Sequence, residues 1–415
     1  MQEDKSLTSD EFTVQNLDTE EDIEQHLELM RAVFGEKSRV DLQVKKWIDH
    51  HPTMTLEDFF VVKHKGRIVA GINLIPLEWS LNGIPLKVAE LGCVATLPEY
   101  RRSGLQRRLV DEYHKRVLKQ GYDLSAIEGI PFYYRQFAYE YALPLDEETR
   151  LAISKIPDYK INYVIRPFRN TDLPDAIRLL ATSQQKYYVH TVRSKGIWEM
   201  TQKTRMVAEY EFEGYVIEEK GKPIAYFRTS VNSENRELLL REVTDVDQYA
   251  AQSILKFVKD IGKQRELETL IATISYHEPF TEHMIAVGGV NASPYAWQIR
   301  VTDYASLFQK LKPLFEKRLA VSTYRHLTEK LNFNFYRYTV QVTFENGTIR
   351  NVEYLKDCED RTIRFNPLVF TQLLLGHRSR EELQKIYPDF LVRPSHRHLI
   401  DSLFPKLPSY IHTAY

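Results

Sequence analysis

Residues 59–121 constrain the chain most tightly. Phe59-Phe60-Val61-Val62 and Arg67-Ile68-Val69-Ala70-Gly71-Ile72 flank Lys65-Gly66, a hairpin pattern. Leu77 to Leu81 and Ile84 to Val88 flank Asn82-Gly83, the strongest short hairpin signal. The second hairpin runs into Ala89-Glu90-Leu91-Gly92-Cys93-Val94-Ala95-Thr96, a nearly continuous apolar run of the kind found in strands buried on both faces. After Leu97-Pro98-Glu99-Tyr100, a helix is expected: Leu105, Leu109, Tyr113 and Val117 recur every four residues and Gly121 closes it. Asp123 to Ile127 reads as a further strand. Upstream, Ile23, Leu27, Met30 and Val33 predict a helix over Glu20 to Phe34, stopped at Gly35.

Part of this order recurs. Tyr215 to Tyr226 echoes Phe60 to Ala70: strand, Lys-Gly turn, basic residue, strand. Leu238 to Val243 then predicts a strand and Asp247 to Ile261 an amphipathic helix. The spacing, roughly 150 residues, is too long for a solenoid repeat and points to a duplicated domain beginning near Tyr163. A third unit follows Val301. Phe335 to Phe344 alternates, Asn346-Gly347 turns, Ile349 to Leu355 returns, and Phe365-Asn366-Pro367 opens a helix through Leu375 that Gly376 ends. With no low-complexity linker, three packed domains are expected: 1–155, 156–300 and 301–415.

Composition removes other classes. The chain has 415 residues, enough for about two to four domains. Apolar residues make up 43% and charged residues 27%, and the net charge is -1. That balance gives no global basic excess to favour nucleic acid. Two Cys make no disulfide scaffold and suggest a reducing compartment. The polar start Met1-Gln2-Glu3-Asp4-Lys5 carries no apolar segment of a secretory signal, and no apolar run is long enough to span a bilayer. A cytoplasmic, multidomain protein is expected. The 25 Tyr and 20 Phe supply aromatic cores or a large interface.

The chemistry concentrates in Val94 to Arg107. A buried strand ends, a short turn follows, and a helix is expected to begin at Arg102 or Ser103. First-turn amides of a helix lack intrahelical partners, and the helix dipole is positive there. Gly104 allows close approach to the backbone, and Arg101 and Arg102 add charge, so the segment can cradle a pyrophosphate. The plain alternative is an ordinary Gly near a helix start beside solvated arginines. The second unit has neither Gly nor Arg between Asp245 and Leu255 and is read as a structural copy. Cys93 reads as a small inert thiol in a buried strand. His50-His51 and His396-Arg397-His398 lack the remaining ligands of a zinc site, so no metal is expected. Glu112 and Lys115 belong to a solvated helix face, and Glu128 reads as a surface carboxylate able to point at an amine.

Arg101-Arg102-Ser103-Gly104-Leu105 resembles motif A of the GNAT superfamily of acetyl-CoA-dependent N-acetyltransferases, Arg/Gln-x-x-Gly-x-Gly/Ala, with Gln106 where the last small residue belongs. Phe132-Tyr133-Tyr134-Arg135-Gln136-Phe137-Ala138-Tyr139 resembles the superfamily's late motif, Tyr-x-x-Phe-Gly-Phe/Tyr, with Ala138 in place of Gly. The whole layout resembles the enhanced intracellular survival protein family. The resemblance implies an α/β (α+β) fold: two GNAT-like mixed-sheet domains, the second without its own motif A, then a sterol carrier protein-like C-terminal domain. It further implies acetyl-CoA as co-substrate, an aminoglycoside-, polyamine- or lysine-like amine as acceptor, and a hexamer.

In that mechanism Val94, Ala95 and Thr96 present backbone to the pantetheine arm, at a bulge if one is present, and the amide near Val94 holds the thioester oxygen. Arg101, Arg102, Ser103, Gly104, Leu105, Gln106 and Arg107 receive the diphosphate. By position in the late motif Tyr134 is the general acid, with Tyr133 its neighbouring rival; a phenol, pKa about 10, is a donor at neutral pH. The chain-terminal carboxylate of Tyr415 is the family's base, and Leu403-Phe404-Pro405 through Tyr415 is apolar and Pro-stiffened. Two other readings stand beside this one: a non-catalytic CoA- or lipid-binding protein, and a transferase of acyl groups longer than acetyl.

Overall fold

In the computed structural model, residues 11–145, 147–293, 295–356, 359–360 and 362–412 are described. They form two compact units, 11–143 with 297–409 and 144–296 with 410–412.

The first unit opens with β1 (Phe12–Asn16), α1 (Glu20–Phe34), α2 (Val40–His50), β2 (Phe59–His64), β3 (Arg67–Leu81), β4 (Ile84–Thr96), α3 (Leu105–Lys119), β5 (Leu124–Ile127) and β6 (Glu140–Leu145). Thr19 caps α1 by accepting from the Asp22 amide at 3.1 Å. Both expected hairpins form, and they share a strand: the 15-residue β3 pairs β2 from Arg67 to Asn73 and β4 from Ala70 to Leu81. β4 in turn pairs β5 in parallel, with α3 as the crossover such a connection requires. α3 buries Leu105, Leu109, Val110, Tyr113 and Val117, the stripe the four-residue spacing predicted.

The second unit contains β7 (Glu148–Ala152), β8 (Val164–Pro167), α4 (Leu173–Gln184), β9 (Val189–Val192), α5 (Lys195–Thr204), the short β10 (Met206–Val207) and β11 (Tyr210–Glu211), β12 (Glu213–Glu219), β13 (Lys222–Asn232), β14 (Glu237–Val243), α6 (Gln248–Gln264), β15 (Thr269–Thr273), α7 (Pro279–Ala286) and β16 (Val290–Asn291). Its main sheet runs β16-β7-β15-β14-β13-β12-β8. Antiparallel β12, β13 and β14 are followed by α6 and by β15 parallel to β14, the order of β2 to β5. Buried Leu240, Ile254, Val258 and Leu270 join sheet and helix.

Strand pairing cuts across the expected boundaries at 155 and 300. β7 lies before residue 155 yet pairs β15. β17 (Tyr295–Val301) begins before residue 300, yet its Gln298–Val301 stretch pairs β5 antiparallel, so the first sheet reads β1-β2-β3-β4-β5-β17-β6. The reason is local: an unpaired edge on β5 or β15 would leave backbone groups without partners. Chain order carries no signal of which later strand fills that edge.

The rest of the first unit is α8 (Tyr304–Lys310), α9 (Lys312–Ala320), β18 (Glu329–Asn334), β19 (Thr339–Glu345), β20 (Thr348–Leu355), β21 (Ile363–Arg364), α10 (Pro367–Leu374), α11 (Arg380–Ile386), β22 (Leu391–Val392) and α12 (Arg397–Leu403), with sheet order β20-β19-β18-β21-β22. The alternation of Phe335 to Phe344 does not make one strand. The Phe335 amide donates to Tyr338 O at 2.8 Å and Tyr336 takes φ 67, so residues 335–338 are the turn between β18 and β19. Their aromatic rings pack without strand geometry: Phe335 stacks on Tyr304 at 4.6 Å. Phe308, Phe333, Phe365, Phe370 and Phe404 fill the core beneath, which accounts for part of the aromatic content. Each such ring pair adds about 0.5–1.5 kcal/mol beyond burial.

Candidate functional site

β4 is the element around which the site forms. It pairs β3 as far as Asn73↔Gly92 and again at Gly71↔Ala95. Cys93 and Val94 therefore stand opposite Ile72 alone, and Cys93 takes φ 48. This is a β-bulge, which bends and twists its strand. On its other side β4 pairs β5 from Val88↔Leu124 to Glu90↔Ala126, then continues beyond that pairing from Leu91 to Thr96. Val94 and Thr96 are half-buried and Ala95 is buried. Cys93, expected within a buried strand, is half-buried on the bulge.

The helix begins later than the sequence suggests. α3 starts at Leu105, because Arg102 (φ 66) and Gly104 (φ 73) are left-handed and residues there cannot continue a right-handed helix. Gly104 is the N-cap and makes no side-chain cap. A Cβ built on Gly104 would meet nothing within 4 Å, so the glycine is required by φ, and the space before it is open. Arg101, Arg102, Ser103, Gly104 and Arg107 are exposed around that space, while Leu105 is buried as an anchor. The amides of Leu105, Gln106 and Arg107 thus sit at a positive helix end with no capping side chain.

Gln106 fills the place of the motif's small residue. Its Nε2 donates to Ala95 O at 2.7 Å and Thr96 Oγ1 at 2.8 Å, which ties the first turn of α3 to the end of β4. The side chain reaches the strand rather than crossing the helix end. Its own Oε1 is buried without a hydrogen bond among the described residues.

Tyr134 lies in a short 3-10 turn, Tyr133–Phe137, and is 5% exposed. Its ring lies against Gly129, where a Cβ would come within 2.2 Å of Cε2, and its centroid is 6.2 Å from that of Tyr139. Gly129 is therefore what makes room for the phenol. Tyr133 is half-buried; burial raises its pKa, opposed by Arg107. Ala138, which stands for the motif's Gly, takes φ 66. Left-handed backbone is costly for an L-residue, so Ala138→Gly is expected to raise stability by about 0.5–1 kcal/mol, read as a higher urea midpoint at unchanged slope.

Sequence reasoning missed the links behind these residues. Arg107 Nη2 donates to Gln136 Oε1 at 2.7 Å, and its guanidinium lies over Phe137, 5.4 Å from the centroid. The N-terminal end of α3 is thereby joined to the Tyr134 turn. Behind Tyr134 runs a buried chain: the Tyr113 hydroxyl donates to Ala89 O (2.9 Å) and meets Ser125 Oγ (2.8 Å), which meets the Tyr139 hydroxyl (2.7 Å), which meets His114 Nε2 (3.2 Å). Burial, with Arg300 nearby, holds His114 down at about 3, and burial pushes Tyr139 up to about 12. The chain is neutral at pH 7. Tyr113 was legible as an apolar helix position; its hydroxyl gave no periodic signal.

The remaining candidates are dispersed. Glu128 is exposed, and His396 pairs with Glu329 at 2.8 Å. Among the described residues no group of three or more His, Cys, Asp or Glu could hold a metal, and no helix is long and apolar enough to cross a membrane. Tyr415 lies outside the described residues. In the second unit, β14 carries a bulge too, with Arg228↔Glu242 followed by Thr229↔Leu240. The helix after it is capped differently: Asp247 accepts from the Ala250 amide at 2.7 Å. A carboxylate occupies the end of α6 where α3 leaves its amides open, and it would repel a phosphate.

A bulged central strand, a parallel partner beyond it and an open helix end are the features of an acyl-CoA-binding transferase fold. Residues 16–142 match the model of an acetyltransferase (GNAT) domain. No curated protein matches the chain. Among solved structures, a GCN5-related N-acetyltransferase from Anabaena variabilis is 16% identical, with 97% of this chain and 100% of that one covered and a TM-score of 0.74. A conserved Enterococcus faecalis protein of unknown function, named a probable N-acyltransferase, is 15% identical over the same shares, also at 0.74. Eis1 from Mycobacterium abscessus is 12% identical, again over 97% and 100%, at 0.62. At these identities the likeness is one of fold: mixed α/β with GNAT-like mixed sheets.

Proposed function

We propose that the protein is an acetyl-CoA-dependent N-acetyltransferase that acts on a primary amine of the aminoglycoside, polyamine or lysine class. One observation carries the reading: the uncapped N-terminus of α3, open at Gly104 and flanked by Arg101 and Arg102, beside the edge of β4 that continues beyond its pairing with β5. Such an end takes a diphosphate through backbone amides and charge together. The pantetheine arm lies along Val94, Ala95 and Thr96, and the amide near Val94 receives the thioester oxygen as it gains charge. Holding amine and thioester side by side supplies proximity. The amine nitrogen attacks the acyl carbon, the carbon–sulfur bond breaks, Tyr134 protonates the leaving thiolate, and the amine proton leaves through water to the Tyr415 carboxylate.

On the same reading the second unit is a degenerate GNAT-like copy, consistent with its repeated strand order and with the Asp247 cap. The segment from Val301 is a sterol carrier protein-like domain, and the chain assembles as a hexamer, which light scattering on the purified protein tests directly.

A CoA-release assay over polyamines, aminoglycosides and lysine peptides tests the activity. Thiol release with at least one amine is expected. Acetyl-CoA binding without release across the panel would favour a non-catalytic CoA-binding protein, and faster release from longer acyl-CoAs would replace acetyl as the group transferred. Arg101→Ala with Arg102→Ala is expected to weaken acetyl-CoA binding about tenfold and to make the remaining affinity less sensitive to salt, as read by calorimetry.

A further inference from the structure

We propose that a cleft in the first unit, apart from the diphosphate cradle, binds an anion carried on a planar ring. The cleft has a volume of about 1090 Å³, at the upper end of small-ligand sites. Its walls come from the turn that follows Tyr134, the end of β17, the turn between β18 and β19, β20 and the start of α10; Arg300, Phe335, Tyr336, Arg337, Tyr338 and Tyr354 are among the residues that line it.

Two properties choose the ligand. The first is aromatic surface left in solvent. Tyr336 is 50% exposed and Tyr354 46%, and the Tyr338 and Tyr354 rings meet edge to face at 5.7 Å. A flat ring gains contact area and favourable quadrupole geometry on such walls. The second is unbalanced charge. Two carboxylates share the cleft: Asp303 accepts from the Ser306 amide at 2.6 Å and from the Tyr354 hydroxyl at 3.0 Å, and Asp389 accepts from Asn366 at 2.8 Å; they stand against the cations Arg300, Arg337 and Lys356. Arg135 is paired with Glu140 at 2.8 Å. Among the described residues, no carboxylate pairs with the guanidinium of Arg300 or of Arg337, and Lys356 adds a further cation to the lining. Arg300 lines the cleft together with Tyr304 and Tyr338. An arginine offers a carboxylate or phosphate a planar, charge-assisted fork.

The shared chemistry, ring plus anion, is that of a nucleotide or of an aryl carboxylate. Calorimetry on the full chain with AMP and with 1-naphthoate, each with and without saturating CoA, separates the two. Binding of either probe in the presence of CoA is expected, and which of them binds names the source. Arg300→Gln is expected to weaken that binding about tenfold or more. Arg337→Gln, at an exposed turn that does not threaten folding, should weaken it as well, and the uncharged partners adenosine and 1-naphthalenemethanol should bind less tightly than the anions. Loss of both probes when CoA is added would put them in the acyl site and overturn the proposal. So would no binding of either probe to the wild-type chain, or affinities unchanged in both variants. The test does not depend on acyl transfer: a protein that fails the CoA-release assay is still read by the titrations without CoA.

Discussion

Replacing Tyr134 by Phe is expected to lower kcat about 10²–10³-fold while the dissociation constant of acetyl-CoA stays within about twofold of wild type. The ring is packed against Gly129 and Tyr139, and phenylalanine keeps that packing while removing the O–H. A proton donor to the leaving thiolate acts in the transition state, so its loss falls on kcat and not on ground-state binding. Tyr133→Phe controls for the neighbouring phenol. Undiminished turnover in Tyr134→Phe, or an equal loss in Tyr133→Phe alone, would remove Tyr134 from the reaction.

Glu242→Ala is expected to destabilise the protein by about 3–5 kcal/mol, measured as a lower urea midpoint followed by circular dichroism. Glu242 is 2% exposed and Arg228 1%. Its carboxylate accepts from Arg193 at 2.5 and 3.2 Å and has Arg228 Nε 3.5 Å away. Burial pushes the Glu242 carboxyl up, but Arg193 and Arg228 more than offset this and hold it at about 2. Removing it takes this carboxylate away from two buried guanidinium groups. His412 does not aggravate the repulsion, since burial holds its pKa at about 4. A carboxyl whose folded pKa is depressed contributes stability that is full above its unfolded pKa and disappears as pH falls through the folded one. The contribution is thus complete above about pH 4.5 and is lost toward pH 2. A Glu242→Ala protein as stable at pH 7 as the wild type would show that the cluster is compensated in another way.

Much of the candidate site was legible because it consists of local backbone requirements. Gly104 could be found because a positive φ before a helix selects glycine, and β4 because an apolar run after an Asn-Gly hairpin has little choice but to be a buried strand. The end of that reading is visible at Arg102. Nothing in the sequence marks an arginine as left-handed, so the helix start was placed two or three residues early. Phe335 to Phe344 failed for a different reason: alternating aromatics pack equally well from a tight turn as from a strand. Gln106 was legible as a departure from a small residue, but not as a bridge to Ala95 and Thr96, since its partners lie on another element.

By itself, the sequence determined the two hairpins, the helix after the turn at Pro98, the repeated strand order in the second unit, and the residue type at Gly104. Each depends on φ preference or on periodicity within a few neighbours, which the chain carries wherever it goes. The tertiary structure alone decided that β17 completes the first sheet, that Gly129 makes room for Tyr134, that Arg107 reaches Gln136, and that Arg300 lines a cleft with no carboxylate paired to it among the described residues. These depend on which atoms meet across long stretches of chain, where hydrogen bonds and unpaired charges acquire their energies from burial.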